Sequence, residues 1–366
     1  MGLPTTINKG ILMENILQVL IGDSKETLKT VPDCSVNCVV TSPPYYALRS
    51  YLESDSPLKP LEIGQEQTPE EYIENLVTVM EECKRVLKDD GICFINIQDS
   101  YNVRNKTEAD QSFENCKYNR QTTVLKHYQY KSAKLKDLIG IPWMLAFKMR
   151  EKGWYWRDTI IWAKAVSGFH IFGNCMPESV KDRTNKSHEY ILMFTKSAKY
   201  NYDWQAIGEA VADVSNKRAF YGKVPKKRKN NGNYDYSMGV ESQVKFYEKR
   251  AKEIEDNPDK TILRTRRSVW NYKAAYTKVS HFAVYPPALA ETCILAGCPV
   301  GGTVLDPFGG SGTTGIVANL IDRNAIICDL NPNMKEHLEL RKEEVAKNMG
   351  KCYSDKDIGK QYKKFW

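Results

Sequence analysis

Thr303-Val304-Leu305-Asp306-Pro307-Phe308-Gly309-Gly310-Ser311-Gly312-Thr313-Thr314-Gly315 decides how this chain is read. An apolar run ends at Leu305, as a strand does. The glycines after it let a ligand lie against bare backbone where a helix starts near Thr313. That helix pattern runs through Val317 and Leu320, and after Arg323-Asn324 comes a second strand, Ala325-Ile326-Ile327-Cys328. It closes on Asp329, twenty residues beyond Gly309. An acidic side chain at that place typically binds ribose hydroxyls. A glycine cluster alone is weak, but strand, glycine turn, helix, strand and acid in this order point to a nucleoside cofactor. No Lys-Ser/Thr pair ends the loop, which disfavours a Walker-type phosphate cradle. Asp306 at the strand end suits a cationic amino group better than a pyrophosphate. That favours S-adenosylmethionine over a nicotinamide dinucleotide, which stays open at this point.

Far upstream, the apolar run Ser35-Val36-Asn37-Cys38-Val39-Val40 ends in Thr41-Ser42-Pro43-Pro44-Tyr45-Tyr46. Two consecutive prolines fix two φ angles and remove two N–H donors, so this turn presents mainly carbonyls. A carbonyl edge with a hydroxyl before it and an aromatic ring after it suits a flat, amino-bearing ring. By itself the hexamer reads equally well as a Pro-Pro loop with two shielding tyrosines.

Composition bounds the rest. A chain of 366 residues can bury a sizeable core, and its length suggests about two domains. The net charge of +8 fits a polyanionic partner without requiring one. Ten cysteines are spread thinly with no CxxC pair, so neither a disulfide framework nor a zinc site is expected. No apolar run approaches membrane-spanning length and no signal peptide opens the chain. The expected location is the cytoplasm. Met1-Gly2 with Thr6 matches a loose myristoylation pattern, which is read as chance. His188-Glu189 lacks the second histidine that a zinc protease helix needs.

Taken from its start, the chain alternates strand and helix. Ile16 to Ile21 reads as a strand ending at Gly22-Asp23, followed by a helix capped by Ser24. Pro69 to Leu87 is amphipathic, with Tyr72, Leu76, Val79, Met80 and Val86 on one side, and Asp89-Asp90-Gly91 is expected to stop it. Ile92 to Ile97 is the next strand, then a helix over Lys136 to Lys152 and strands at Trp156 to Trp162 and Ser187 to Phe194. This order predicts a parallel, helix-covered α/β sheet with ligands at the carboxyl ends of its strands, where Asp23, Ser42 and Asp99 fall.

Two stretches interrupt the alternation. Residues 102–135 are polar and aperiodic. Between Asn216 and Tyr234 lie Lys217, Arg218, Lys223, Lys226, Lys227, Arg228 and Lys229 with no acid among them, and aromatic residues stand close by. Basic residues neutralise phosphates and aromatics contact bases, although a solvated basic loop would have the same composition. Arg264, Arg266 and Arg267 extend the positive charge.

Together, Thr41-Ser42-Pro43-Pro44-Tyr45 and Asp306-Pro307-Phe308-Gly309-Gly310-Ser311-Gly312-Thr313-Thr314 resemble the site-specific DNA amino-methyltransferases. The target-base motif precedes the cofactor motif, as in their circularly permuted β group. Gly22-Asp23, Asn96, Asp99-Ser100-Tyr101, Met176-Pro177-Glu178-Ser179, Ser187-His188-Glu189-Tyr190 and His281-Phe282-Ala283-Val284-Tyr285-Pro286 carry the resemblance further. It implies a Rossmann-like methyltransferase sheet with helices on both faces. S-adenosylmethionine would be held by Asp23, Thr41, His281, Phe282, Asp306 through Thr313 and Asp329. Ser42, Pro43, Pro44 and Tyr45 would receive a base flipped out of double-stranded DNA. The carbonyls of Ser42 and Pro43 would accept the amino hydrogens, and Tyr45 would stack on the ring. Lys217, Arg218, Lys226, Lys227, Arg228 and Lys229 match the target-recognition region in place only.

Ser at position 42 is commoner among cytosine-N4 enzymes, so N4 of cytosine is the expected target and N6 of adenine the runner-up. An RNA methyltransferase and a non-catalytic nucleic-acid binder are more remote. No cysteine follows the prolines, which excludes carbon-5 cytosine chemistry. The expected division is 1–200 (target-base half), 201–270 (target recognition), 271–345 (cofactor half) and 346–366 (tail). The resemblance also implies a homodimer, a cognate restriction endonuclease and association with the nucleoid during action.

Overall fold

Strands covered on both faces are apolar almost without interruption, and the central runs Ile92–Ile97 and Ile191–Phe194 are built that way. The computed structural model describes residues 15–48, 50–53, 55–102, 133–167, 172–173, 175, 178–210, 263–274 and 284–348. In chain order these form β1 (Leu17–Ile21), α1 (Ser24–Thr27), β2 (Val36–Thr41), α2 (Pro69–Val86), β3 (Leu87–Ile97), α3 (Ile141–Glu151) and β4 (Tyr155–Ala163). A short ribbon follows, β5 (Ala165–Val166) with β6 (Phe172–Gly173), then β7 (His188–Thr195), β8 (Glu209–Ala210), β9 (Leu263–Arg264) and β10 (Val269–Asn271). Last come α4 (Pro287–Gly297), β11 (Thr303–Asp306), α5 (Thr313–Leu320), β12 (Asn324–Asp329) and α6 (Met334–Asn348).

Among the described residues, eight strands form one sheet in the order β1-β12-β11-β2-β3-β7-β4-β10. β1, β12, β11, β2 and β3 are parallel, β7 runs against both β3 and β4, and β10 is parallel to β4. The carboxyl ends of β1, β12, β11, β2, β3 and β4 therefore share one edge with the amino end of β7. The two-residue side-chain period divides the core between the faces. Val39, Cys93 and Ile95 pack with α2 and α3 residues such as Leu76, Met80 and Leu145. On the other face, a Cβ at Gly297 of α4 would meet Cys38 Sγ at 2.8 Å and stand 3.3–3.5 Å from Phe94 and Ile92. Helices thus cover both faces, as the alternating pattern predicts.

α2 starts where the sequence places it. Thr68 caps the amide of Glu71, the Glu71 carboxylate reaches back to the Thr68 amide, and Pro69 opens the first turn. Two boundaries differ from expectation. α3 begins at Ile141 rather than Lys136, because Gly140 takes a φ of +89° and Asp99 Oδ1 accepts the amides of Gly140 and Ile141 at 2.9 and 3.0 Å. Asp89-Asp90-Gly91 is not a separate turn but part of β3, which starts directly after α2 with an irregular register against Val36 and Cys38. α4, β10 and α6 lay outside the alternation the sequence displayed.

The chain divides into a larger compact unit, Met1–Tyr202 with Ser268–Trp366, and a smaller one, Asp203–Arg267. In the smaller unit, β8 and β9 pair antiparallel. Glu209 accepts from Arg264 and Arg267, both at 2.9 Å. Two of the three arginines expected to extend the positive surface are therefore partly neutralised.

Among the described residues, no helix is long and apolar enough to cross a membrane, and no group of three or more His, Cys, Asp or Glu could hold a metal ion.

Candidate active site

At the carboxyl end of β2 the chain turns through Ser42-Pro43-Pro44-Tyr45-Tyr46, and the two tyrosines part. Tyr46 is core: its ring packs on Tyr72 at 5.4 Å and its hydroxyl donates to the Gln67 carbonyl at 3.2 Å. Tyr72 in turn donates to the Pro44 carbonyl at 2.7 Å, which turns that carbonyl inward. Tyr45 is half-buried, and its hydroxyl donates to Glu189 Oε2 at 2.5 Å. Burial and the adjacent Glu189 carboxylate push the Tyr45 phenol well above its ordinary range, so it remains a donor.

Glu189 enters from the second residue of β7 and is only 5% exposed. Lys164, at the end of β4, pairs with its Oε1. Asn96, near the end of β3, donates through Nδ2 to Glu189 Oε2 at 2.7 Å, and the same nitrogen lies 3.0 Å from Tyr45 Oη and 3.3 Å from Ser42 Oγ. The carboxylate admits only donors, which sets the orientation of the Asn96 amide. Three strands and the turn thus converge on one buried anion.

The glycine-rich stretch lies at the carboxyl end of β11, and two of its glycines are explained by packing. A Cβ at Gly312 would stand 1.9 Å from Leu338 Cδ2, and one at Gly309 would stand 2.6 Å from Met334 Cε. Both partners belong to α6, so the bare backbone there meets a helix. Arg341, further along α6 and 1% exposed, holds the loop from the same side. Its Nη1 donates to the Ser311 carbonyl at 3.0 Å, to Thr313 Oγ1 at 2.9 Å and to Ser311 Oγ.

Asp306 is buried, and burial raises its pKa. Thr41 Oγ1 donates to its Oδ1 and Thr314 Oγ1 to its Oδ2, each at 2.6 Å. The Phe308 amide at 3.1 Å and Tyr285 Oη at 3.4 Å add to this. With four donors on its two oxygens, the carboxylate is a strut between β2, β11 and α5. A cationic amino group at Asp306, as the sequence suggests, would share its oxygens with these donors. Thr41, also expected at the cofactor, is 1% exposed and spends its hydroxyl on the same strut.

Other assigned residues do reach a surface. Phe308, Gly310, Asp23 and Asp329 are half-buried, whereas Pro307, Gly309, Ser311, Gly312 and Thr313 are buried. Asp329 accepts the Gly310 amide at 2.6 Å and the Asn331 amide at 2.7 Å. Burial lifts its pKa to about 6. Asp23 caps α1, and the neighbouring Gly22 amide donates to the Asp329 carbonyl at 2.9 Å. Ser24 Oγ donates to the Pro307 carbonyl at 2.5 Å, tying the ends of β1 and β11.

His281 and Phe282, and Lys217, Arg218, Lys226, Lys227, Arg228 and Lys229, lie outside the described residues. Glu189, Asn96, Lys164, Thr314, Tyr285 and Arg341 were not among the assigned site residues. An acidic residue just before the apolar run Tyr190–Phe194, Glu189 in HEYILMFT, was the available signal for the first.

Residues 36–340 match the model of the N6_N4_Mtase family, described as DNA methylase. Type II methyltransferase M.SmaI of Serratia marcescens is 36% identical over 334 residues, 90% of this chain and 91% of that protein. Type II methyltransferase M.Cfr9I of Citrobacter freundii is 36% identical over 329 residues, 90% and 86%. Among solved structures, the cytosine-N4-specific PvuII DNA methyltransferase has the same fold, with a TM-score of 0.54 over 91% of each chain at 15% identity.

Proposed function

The chain belongs to the N6_N4_Mtase family of DNA methylases, S-adenosylmethionine-dependent amino-methyltransferases, and from that premise we propose that it methylates N4 of cytosine at a specific DNA sequence. The observation that carries this reading is Ser42 at the head of the Pro-Pro turn, a neutral hydroxyl 3.3 Å from the Asn96 amide nitrogen. With the Pro44 carbonyl taken by Tyr72, the carbonyls of Ser42 and Pro43 are the pair assigned to the amino hydrogens. An exocyclic amine is a poor nucleophile because its lone pair is delocalised into the ring. Two carbonyls accepting its hydrogens favour a pyramidal nitrogen and stabilise the charge that develops on it. Tyr45, held by Glu189 at one edge, offers a ring face to the extruded base.

The donor set fits the methyl donor. Asp329 keeps acceptor capacity beyond the two amides it binds, in place for ribose hydroxyls, and Asp23 stands at the neighbouring strand end. When bound, S-adenosylmethionine supplies a methyl group activated by its sulfonium. Phe308 and Gly310 would line the same site, while Asp306, Thr41 and Arg341 act by holding the backbone that presents it.

Hydroxyl donors favour the ionised form of a carboxylate. Cofactor affinity is therefore predicted to weaken as pH falls through about 6, the pKa of Asp329 in the free protein. The dependence should flatten in Asp329→Asn, whose affinity is lower throughout. Titration calorimetry between pH 5 and 8 reads both; a wild-type constant that does not move removes Asp329 from the ribose.

Nucleoside-level analysis of DNA from cells expressing the chain, against a Ser42→Ala control, tests the target base. The expected product is N4-methylcytosine at one short sequence. N6-methyladenine at one sequence would keep the turn chemistry and overturn the choice of base. Preferential methylation of RNA in competition would overturn the DNA reading.

A further inference from the structure

Positive charge also gathers in the larger unit, beside the target turn. After β3 the chain runs Asp99-Ser100-Tyr101, and the segment entering β7 lays two cations on the tyrosine ring. The Arg183 guanidinium carbon is 4.0 Å from the ring centroid and Lys186 Nζ is 4.9 Å from it. Ser100 Oγ donates to the Tyr46 carbonyl at 3.4 Å, so this stack is one residue removed from the turn that begins at Ser42.

The two cations are not equally satisfied. Arg183 pairs with Glu178 at 2.5 Å. Lys186 is half-buried and donates to the backbone carbonyl of Asp99. Among the described residues, Lys186 makes no ion pair with a carboxylate. Asp99 Oδ1 is occupied by the amides of Ser100, Gly140 and Ile141 at 2.9–3.0 Å. Burial pulls the Lys186 ammonium below its ordinary range, against the attraction of the Asp99, Glu178 and Glu189 carboxylates, and Arg183 adds to the lowering as a like charge. A partly dehydrated cation beside another, held by a neutral carbonyl, is costly in isolation and favourable once an anion arrives.

An extruded nucleotide rotates about its own backbone, so the phosphates on either side of it must be held still. We propose that Lys186 and Arg183, mounted on Tyr101, grip a DNA backbone phosphate next to the flipped nucleotide. The proposal rests on the DNA amino-methyltransferase reading and adds a contact that neither the two motifs nor the basic stretch at 217–229 includes. The aromatic ring fixes the spacing of the cations, and the Asp99 carbonyl keeps the lysine from folding away.

Fluorescence anisotropy with the full chain and a duplex carrying its methylation site, over a salt series, tests it. Lys186→Met is expected to weaken DNA binding roughly tenfold near physiological salt and to lower the log–log salt slope by about 1. Lys186→Arg keeps the charge and should restore the slope. Arg183→Gln should lower it in the same way, and supplies the test if Lys186→Met does not fold. Methylphosphonate at the phosphates flanking the target base should weaken the wild type and cost less in Lys186→Met, where only Arg183 remains to lose the contact. An unchanged slope in the neutral variants, or equal losses in Lys186→Met and Lys186→Arg, overturns the proposal. A wild type that binds cofactor but no DNA overturns the underlying reading instead.

Discussion

Replacing Tyr45 by alanine is expected to lower the single-turnover methylation rate by roughly two orders of magnitude, with cofactor affinity moving less than threefold. Base–aromatic stacking contributes about 1–3 kcal/mol by alanine substitution. Here the ring also carries the hydroxyl that binds Glu189 at 2.5 Å. Alanine removes the stack and leaves a buried carboxylate with one donor fewer, beside Asn96 and Lys164. Tyr45→Phe separates the two effects, because it keeps the ring and loses the hydroxyl. It should retain base extrusion, read by 2-aminopurine fluorescence at the target position, and lose about tenfold in rate, consistent with one charge-assisted hydrogen bond. Rapid-quench methylation with saturating cofactor gives the rates. A Tyr45→Ala enzyme within threefold of wild type would take the ring out of the site.

Asp306→Ala should cost the fold about 3–5 kcal/mol, the sum expected when several buried donors lose a charged acceptor. The donors are the hydroxyls of Thr41, Thr314 and Tyr285 and the amide of Phe308, on β2, α5, the segment before α4 and the glycine-rich loop. Removing the acceptor loosens the joint between the target turn and the cofactor loop, since Thr41 directly precedes Ser42. Asp306→Asn keeps one carbonyl oxygen and should lose about half as much, because hydroxyls can rotate to accept from its amide. Urea denaturation of the two variants measures this. A loss under about 1 kcal/mol for alanine, below the usual range for a buried acceptor with several donors, would mean that the strut is not structural. It would return the carboxylate to the list of groups that contact a ligand directly.

Much of the scaffold was legible because its signals are local. The mostly apolar run Val36–Val40, the capping box from Thr68 to Glu71 and the proline at the head of α2 each specify an element from its own residues. The boundary of α3 was only partly local. Pro142 in its first turn marks the start, as Pro69 does for α2, but the distant Asp99 carboxylate that accepts the amides of Gly140 and Ile141 is seen only in the fold. The reversed strand β7 was equally invisible. A strand pattern does not reveal its direction in the sheet, and only the pairing of Phe94 with Met193 and of Thr159 with Leu192 orients it.

By itself the sequence determined most of the strands and helices, the two turns to which the chemistry is assigned, and the order of those turns along the chain. Those features depend on neighbours in the chain: prolines that remove donors, glycines that follow a strand, and an acid at the end of the next strand. The tertiary structure alone decided what each polar group in those turns is for. It sent Tyr45 to Glu189 and Tyr46 to the core, and it set Asp306 among buried hydroxyls. It also placed Leu338 and Arg341 of α6 against the glycine loop. A side chain's role is set by the partners that desolvate it and satisfy its hydrogen bonds. In this molecule those partners come from distant strands and helices, as with Thr41 and Asp306, 265 residues apart.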